Sequence, residues 1–185
     1  SPRLGCQHRQ LPMALRDTRN LGDSALRVRC SEVAQIEDEV RHLVDDLMAT
    51  MYAADGIGLA APQVGIPLRV FVYDVREPEI EPGVLINPRF VEAGGTIRDT
   101  EGCLSIPGLN ETVERYSEVV VEGLDREGRA VRIEATDLLS RCLQHENDHL
   151  DGILFIDHLS PLKRKLLLNK WAKMDESEKR PAGAF

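Results

Sequence analysis

The feature that most constrains the fold is a His-Glu-x-x-His sequence at residues 145–149. Residues four positions apart lie one turn apart on the same face of an α-helix, so His145 and His149 could point their imidazoles at one metal ion. Glu146 would lie beside the first of them, where its carboxylate could handle the protons of a metal-bound water molecule. The pattern therefore predicts a helix that carries a metal site on one face.

The residues around this motif favour the same helix. Thr136 and Asp137 are typical of a helix N-terminus, and Gly152 is typical of a helix end. Four positions at helical spacing form one stripe between these limits: Leu138, Cys142, His145 and His149. The two histidines therefore share a face with apolar residues, and we expect that face to be buried.

Length and composition set the class of protein. The 185 residues suit one domain with a full core, and 42% hydrophobic with 29% charged residues is ordinary for a globular protein. The net charge of −8 argues against a general nucleic-acid binder. No apolar run approaches the ~20 residues that span a membrane. Four cysteines without a CxxC pair predict free thiols in a reducing compartment, where a lone cysteine can bind a metal as its thiolate.

The grouping of the predicted elements favours an α+β fold. Apolar residues at helical spacing predict an N-terminal helix over residues 36–52, and Ser160-Pro161 is typical of the start of a C-terminal helix. Apolar or alternating runs predict strands at residues 69–75, 83–91, 117–124 and 129–135, the last two forming a hairpin. Because the strands are grouped rather than alternating with helices, we expect mainly antiparallel sheets wrapped around the central metal-binding helix.

A glycine-rich segment over residues 56–65 precedes the first predicted strand. Its glycines and Pro62 argue against a helix, and no Gly-Lys-Ser/Thr follows that would make it a phosphate loop. One interpretation is a tight loop between helix and strand. The other is a substrate-facing segment whose backbone pairs with a peptide, while Gln63 points its amide inward.

Three segments occur in a specific order: Gly-Ile-Gly-Leu-Ala-Ala-Pro-Gln at 56–63, Glu-Gly-Cys-Leu-Ser at 101–105 and Gln-His-Glu-Asn-Asp-His at 144–149. In this order and spacing they resemble the three signature motifs of the peptide deformylases, and the resemblance runs from about Leu21 to Lys173. Asn147 stands where that family often has Met or Tyr. We expect little effect from it, because this position faces away from the ligands.

The resemblance implies boundaries for the domain. Residues 1–20 are expected to be an irregular N-terminal extension, residues 21–174 the catalytic domain and residues 175–185 a flexible polar tail. The basic residues of the extension are also compatible with the remnant of a transit segment. We therefore expect a bacterial cytoplasmic protein, with plastid or mitochondrion as the alternative.

The resemblance also implies the third metal ligand, Cys103, which would act as a thiolate beside His145 and His149. We expect one divalent metal ion per chain. Thiolate and imidazole ligands suit Fe(II), Zn(II), Ni(II) and Co(II) alike, so the ligand set does not choose among them. Family members are similar in using Fe(II), which we expect to be the native metal.

The reaction implied by the resemblance removes the N-formyl group from the N-terminal formyl-methionine of new polypeptides and releases formate. Metal-bound hydroxide would attack the formyl carbon, with Glu146 as general base and then general acid. The Gln63 side-chain amide and the Leu104 backbone N–H would bind the oxyanion. Gly58 is counted with these catalytic residues because the peptide would add as a strand beside it. The methionine pocket would be lined by Gly56, Ile57, Leu138 and Cys142, with Arg141 at its rim.

Partners follow from the same resemblance. The first is the formyl-methionine nascent peptide, and the second is the ribosome, bound through the basic C-terminal helix; a solvated amphipathic face is the alternative for that helix. Its apolar side would comprise Leu162, Leu166, Leu167 and Trp171. We expect a monomer that binds no membrane and no specific nucleic acid. Glu101 and Arg115 are spaced as an ion pair that could hold the cysteine segment, or as an exposed surface pair.

Two other functions compete with this one. A metallopeptidase that cuts internal peptide bonds would take its third ligand from residues after His149, where the candidates are Asp151, Asp157 and His158. A non-catalytic module with a closed structural zinc would need a fourth ligand, either Cys142 or His158. In that case Glu146 and Gln63 would have no role.

Overall fold

The computed structural model describes residues 14–180, within which regular structure begins after an irregular N-terminal segment. Three α-helices lie in this range: α1 Asp38–Ala53, α2 Asp137–Leu150 and α3 Pro161–Lys173. The strands are β1 Gly58–Ala60, β2 Val70–Tyr73, β3 Gly83–Gly94, β4 Ile97–Cys103, β5 Ile106–Arg115, β6 Glu118–Leu124 and β7 Ala130–Thr136. Short 3₁₀ helices are found at Ser24–Arg27, Ala61–Val64 and Phe155–His158.

The strands form two antiparallel sheets. Five of them pair in the order β1-β2-β3-β6-β7, and β4 pairs with β5 in a separate hairpin. β1, which lies within the glycine-rich segment, is therefore an edge strand, and it contacts both α1 and α2. The predicted combination of antiparallel sheets with helices is confirmed.

The β4–β5 hairpin was missed because its sequence lacks a clear alternation. Gly102, Pro107 and Gly108 interrupt the pattern, so the sequence predicts no strand over residues 101–108. In the structure, the two strands meet in a tight turn at Leu104 and Ser105. The expectation that residues 56–65 contain no helix was also wrong in part, since a single 3₁₀ turn forms at Ala61–Val64.

Helix α2 is enclosed by other elements. Residues 139–146 are buried without interruption, and the helix contacts β1, β2, β5, β6, β7 and the Ala61–Val64 turn. Its start lies where the sequence predicts, but the Thr136 side chain makes no capping hydrogen bond. Instead, the Asp137 N–H donates to the Ser117 carbonyl at 3.0 Å, so the preceding strands hold the helix start.

Two hydrophobic clusters hold the cysteine segment. Leu104 packs with residues of α1 and the large sheet. Cys103 packs in a second cluster with Phe155 and Ile106. The segment is therefore packed into two parts of the core, which is how a turn between two strands can place side chains rigidly. Cys142 packs in a third cluster, between the large sheet and α2.

Helix α3 packs only part of its predicted apolar side against the protein. Ser160 caps it and Pro161 begins it, as expected, and the Ser160 side chain accepts from the Lys163 N–H at 3.3 Å. Leu167 is buried, whereas Leu162 and Leu166 are 66% and 53% exposed. Within residues 14–180, no helix is long and apolar enough to cross a membrane.

The chain termini are described only in part. Residues 1–13 of the predicted extension and 181–185 of the predicted tail lie outside the described residues. Residues 14–20 have no regular secondary structure, yet they are hydrogen-bonded to α1 and to the glycine-rich segment. Residues 175–180 form turns, and the Lys179 ammonium lies 4.7 Å from the centre of the Trp171 ring.

Candidate metal and catalytic centre

Three potential metal ligands converge in the interior. Cys103 at the end of β4 and His145 and His149 on α2 are all buried, and their ligand atoms lie within 4.8 Å of one another. The Cys103 Sγ is 3.3 Å from the His149 Nε2. The helix brings the two imidazoles together through their four-residue spacing, with ring centres 5.0 Å apart. The cysteine, 42 positions earlier in the sequence than His145, is brought there by the hairpin turn.

Glu101 orients the first histidine. Its Oε2 lies 2.8 Å from the His145 Nδ1, which leaves the Nε2 of that ring to face the cluster. Arg115 in turn holds Glu101 through two hydrogen bonds, Nε to Oε1 at 3.0 Å and Nη2 to Oε2 at 2.6 Å. Carboxylates that fix the second nitrogen of a ligating histidine are common around metal sites.

The Glu101–Arg115 pair is confirmed as buried, so the alternative of an exposed surface pair was wrong. Burial opposes the charge on Glu101, but hydrogen bonds from His145 and Arg115 hold its pKa well below the ordinary value. Arg115 also reaches Asp148, with Nη1 2.6 Å from Oδ2. A buried charge with this many partners is costly to leave unpaired.

The pKa values of the two histidines are shifted in opposite directions. Burial lowers the pKa of His149 well below its ordinary value, and the neighbouring His145 charge lowers it further. Burial also disfavours the charged form of His145, but hydrogen bonds to Cys103 and Glu101 raise its pKa well above the ordinary value. His149 is therefore neutral at pH 7, which is the form that binds a metal.

Glu146 is positioned to exchange protons. It is buried on α2, and its Oε1 lies 4.0 Å from the His145 Nε2. Burial raises its pKa to about 7, and the nearby His145 opposes part of that shift. Its Oε2 is buried and has no hydrogen-bond partner among the residues that the structure describes. A carboxyl group whose pKa lies near neutrality suits general acid–base catalysis.

Gln63 is held from both ends of its amide. Its Oε1 accepts from the Ala60 N–H at 2.9 Å, and its Nε2 donates to the Ser105 Oγ at 3.1 Å. The same Nε2 lies 3.6 Å from the Cys103 Sγ. The side chain is 1% exposed, so its N–H groups are fixed next to the ligand cluster, and the Leu104 backbone lies in the adjacent turn.

Two glycines allow close packing at the centre. A Cβ added to Gly58 would lie 2.6 Å from the Glu146 Oε1, and one added to Gly56 would lie 2.7 Å from the Leu104 Cδ1. Neither glycine has a positive φ. The close approach of the Glu146 or Leu104 side chain, rather than the backbone conformation, therefore makes a Cβ unfavourable at these positions, and only at Gly58 would the Cβ displace the carboxyl group.

Three of the predicted pocket residues, Ile57, Leu138 and Cys142, lie together in one hydrophobic cluster. Ile57 and Cys142 are buried in the same cluster, and Leu138 packs against it while remaining half-buried. The Cys142 thiol lies 3.6 Å from the Ile57 carbonyl oxygen. The prediction that Arg141 lies at the pocket rim was wrong. Arg141 is 4% exposed and donates to the Thr100 carbonyl at 2.6 Å, because the neighbouring hairpin covers this part of the helix.

The ligands required by the competing functions lie elsewhere. Each of three residues contacts another partner: Asp151 pairs with Arg69, Asp157 pairs with Arg27, and the His158 Nε2 lies 2.8 Å from the Asp148 Oδ2. Within residues 14–180, Cys103, His145 and His149 are the one group of such side chains close enough to share an ion, and Cys142 is outside it. Three soft-to-borderline donors, with the unpartnered Glu146 oxygen beside them, fit a catalytic metal better than a closed four-ligand site.

Sequence reasoning missed two residues that organise the centre. Ser105 receives the amide of Gln63, and Asp148 receives the guanidinium of Arg115. Ser105 lies inside the cysteine motif, and Asp148 lies inside the helix motif, so their positions next to assigned residues were the available signal. Their partners are 42 and 33 positions away, which local pattern cannot indicate.

The chain is similar to known proteins over most of its length. A family model described as polypeptide deformylase matches residues 16–165. A peptide deformylase of Hydrogenovibrio crunogenus is 48% identical over 151 residues, which are 82% of this chain and 89% of that protein.

Two solved structures resemble the fold. A peptide deformylase from Legionella pneumophila superimposes with a TM-score of 0.83 at 43% identity, covering 86% of this chain and 95% of that one. A peptide deformylase from Synechococcus elongatus, solved in complex with actinonin, gives a TM-score of 0.80 at 44% identity and covers 90% and 92% of the two chains.

Proposed function

The chain belongs to the polypeptide deformylase family, and on that premise we propose how its buried centre works. The enzyme is a metal-dependent hydrolase that removes the N-formyl group from nascent peptides. The observation that supports our assignment of residues is the convergence of Cys103, His145 and His149 beside the Glu146 carboxyl and the Gln63 amide. These groups supply ligands, a proton carrier and an anion-binding donor within one buried site.

We assign Cys103, His145 and His149 as the ligands of one divalent metal ion. When bound, the metal supplies a Lewis acid that lowers the pKa of a coordinated water toward ~7. Glu101 holds the His145 ring so that its Nε2 faces this position, and Arg115 keeps Glu101 ionised. Fe(II) is the proposed native metal, with Zn(II), Ni(II) and Co(II) as substitutes that the same donors accept.

Glu146 is the proposed proton carrier. It takes a proton from the attacking water and passes it to the amine that leaves when the formyl C–N bond breaks. Its unpartnered Oε2 and its pKa of about 7 suit both steps. The formate and the free α-amine of the peptide are then the products.

The Gln63 amide and the Leu104 backbone N–H are the proposed donors to the tetrahedral oxyanion. Gln63 is preorganised for this role, because Ala60 and Ser105 fix both ends of its amide. Donors that need no rearrangement stabilise developing charge most effectively, and losing one typically costs ~10²–10³ in kcat.

The peptide is proposed to pair with the open edge of β1. The Ile57 carbonyl accepts from the Asp74 N–H at 2.8 Å, so the backbone carbonyl of Ile57 points toward β2. Because backbone groups alternate in direction along a strand, the N–H and C=O of Gly58 point away from β2. The Ala60 N–H also faces away from β2, where Gln63 accepts it. An extended substrate can therefore add as a further strand beside Gly58.

The methionine side chain is proposed to pack against Gly56, Ile57, Leu138 and Cys142. These residues lie on the same side of α2 as the ligands, and Leu138 keeps exposed surface that a substrate could cover. Because the homologue from Synechococcus elongatus was solved with actinonin, we expect actinonin to compete with the formyl peptide here as well.

The deciding experiment measures formate release from formyl-Met-Ala-Ser by protein loaded anaerobically with Fe(II). We expect turnover by the wild type and none by Glu146→Ala, while both variants bind about one metal ion per chain. Turnover by Glu146→Ala at the wild-type rate would refute the role of this carboxyl group. One bound metal without any formate release by the wild type would instead favour the closed structural site.

A second proposal concerns α3. Its exposed Leu162 and Leu166 lie one turn apart, next to the basic residues Lys163, Lys170 and others, on a chain of net charge −8. This face would suit the phosphates and protein surface of a ribosome near the peptide exit. Co-sedimentation with ribosomes should be lost in a Leu162→Ser/Leu166→Ser variant, and retention at wild-type level would refute it.

Three broader expectations remain proposals. Residues 21–174 would be the catalytic domain, with 175–185 as its tail. The protein would act as a monomer in the bacterial cytoplasm, in line with the bacterial relatives described above.

A further inference from the structure

Residues 14–21 contain no helix or strand, and the N-terminal end of this segment is hydrogen-bonded to α1. The Ala14 N–H donates to the Asp46 Oδ1 at 2.9 Å, and the Arg16 Nε donates to its Oδ2 at 2.8 Å. The Arg16 N–H donates to the Thr50 Oγ1 at 3.0 Å. Asp46 is 2% exposed, so its carboxylate depends on these donors to offset burial. The segment is therefore held in place by a buried charge.

The other end of the segment is fastened to the catalytic centre. The Arg19 N–H donates to the Gln63 carbonyl at 2.7 Å, and the Leu21 N–H donates to the Ser105 carbonyl at 2.9 Å. The Leu21 side chain packs against the cluster that contains Cys103. Two donors that lie two residues apart thus reach the glycine-rich segment and the cysteine segment together.

The two residues whose carbonyls accept these bonds, Gln63 and Ser105, are also hydrogen-bonded to each other through their side chains. The Gln63 Nε2 donates to the Ser105 Oγ at 3.1 Å, and this bond sets the direction of the Gln63 amide. The segment therefore fixes the distance between the two backbones from which that bond is made. A change of this distance would move the amide relative to Cys103 and the Leu104 N–H.

We propose that residues 14–21 form a positioning strap that holds Gln63 in register with the Cys103–Ser105 turn and thereby sets the rate of the chemical step. The inference rests on the proposed role of Gln63 in binding the oxyanion. The strap touches no reacting atom and acts through Gln63. Its loss should therefore lower kcat rather than raise KM, because the edge of β1 that receives the peptide is not part of it.

The first test compares Arg19→Pro with Arg19→Ala in the full-length, metal-loaded enzyme. Proline removes the N–H that donates to Gln63, whereas alanine keeps it and removes only the half-exposed side chain. We expect kcat to fall about 2- to 10-fold in Arg19→Pro, the range of one hydrogen bond, and to stay near the wild-type value in Arg19→Ala. Equal losses in the two variants would refute the role of the backbone bond.

The second test repeats the substitution in a Gln63→Leu background. If the strap acts through Gln63, Arg19→Pro should cost little further activity once the amide is gone. The same loss in both backgrounds would refute the strap. An unchanged kcat in Gln63→Leu alone would refute the oxyanion role of Gln63, and the strap with it. A lowered kcat in Gln63→Leu together with equal losses from Arg19→Pro in both backgrounds would refute the strap alone.

A third test needs no activity. In metal-free protein, Arg19→Pro should speed amide hydrogen exchange in residues 59–66 and 103–107, and Arg19→Ala should not. Protection that is identical in the two variants would contradict the proposal.

If Arg19→Pro does not fold, two substitutions of Thr50 on α1 test the strap at its other end, away from the catalytic centre. Thr50→Val removes the acceptor of the Arg16 N–H, and Thr50→Ser retains it. We expect Thr50→Val to lower kcat and Thr50→Ser to keep it near the wild-type value. In the Gln63→Leu background, Thr50→Val should cause no further loss of kcat. Equal kcat in the two Thr50 variants would overturn the strap.

Discussion

The close packing of Gly58 against Glu146 makes a quantitative prediction. A Cβ at position 58 would lie 2.6 Å from the Glu146 Oε1, 2.8 Å from its Cδ and 2.9 Å from its Cγ. Ordinary van der Waals contact begins at 3.4 Å, so the carboxyl group would have to retreat by about 0.8 Å. Because Gly58 has no positive φ, alanine suits its backbone, and the displacement of Glu146 is the main consequence.

A displacement of this size should act mainly on the rate. Misplacing a catalytic group by about 1 Å can cost ~10²-fold, so we expect kcat for Gly58→Ala to fall between about 30- and 100-fold. Overpacking should also cost about 1–3 kcal/mol of unfolding free energy. KM should change little, since alanine retains the N–H and C=O that face the edge of β1. Metal content should also be retained.

The assay is formate release from formyl-Met-Ala-Ser under saturating substrate, with metal content measured on the same samples. Gly56→Ala is the matched control, because its Cβ creates a contact as close as the one at position 58 but meets the Leu104 side chain instead of Glu146. A Glu146→Asp background shortens the carboxyl side chain by one methylene and makes room, so Gly58→Ala should cost less there. A kcat for Gly58→Ala within about threefold of the wild type would refute the argument that this contact positions Glu146.

Three further outcomes are expected. Arg115→Met should destabilise the protein by about 3–5 kcal/mol in urea unfolding, because Glu101 would remain buried without its partner. The same change should weaken metal binding by about 10–100-fold through His145, and Glu101→Gln in the same chain should restore part of the stability. For Asp46, burial opposes the charge, but hydrogen bonds from the strap hold its pKa below the ordinary value. The Asp46 carboxylate therefore contributes fully to the free energy of unfolding above pH ~4, and this contribution is lost as the pH falls further. The unfolding free energies of metal-free wild type and Asp46→Asn should converge as the pH falls below that value. A difference between them that stays constant with pH would contradict this. Cys142→Ala should still bind one metal ion, and loss of the ion would favour a closed structural site.

Much of the secondary structure follows from local pattern. The helical spacing around the His-Glu-x-x-His motif predicts α2, and the β6–β7 hairpin follows from alternation around a four-residue turn. The β4–β5 hairpin does not, because glycine and proline interrupt its pattern and its stability comes from pairing and from Phe155 packed beneath it. Propensity is a weak guide where packing decides.

The candidate site divides in the same way. The four-residue spacing places His145 and His149 on one face for any helix of this sequence. The inward position of Cys103 is implied by resemblance to a family, whereas its distance from the histidines is a result of folding. Arg141 is buried and Leu166 is exposed, which shows that residue type alone does not set burial.

The sequence by itself determined the helix, its ligand stripe, the strands with clear alternation and, through three motifs, the family. The tertiary structure decided which distant groups meet. It places Glu101 on His145, Gly58 against Glu146, and the N-terminal strap across Gln63 and Ser105. The physical reason is that periodicity reports the geometry of consecutive residues, whereas contacts between residues 40 to 90 positions apart depend on how whole elements pack.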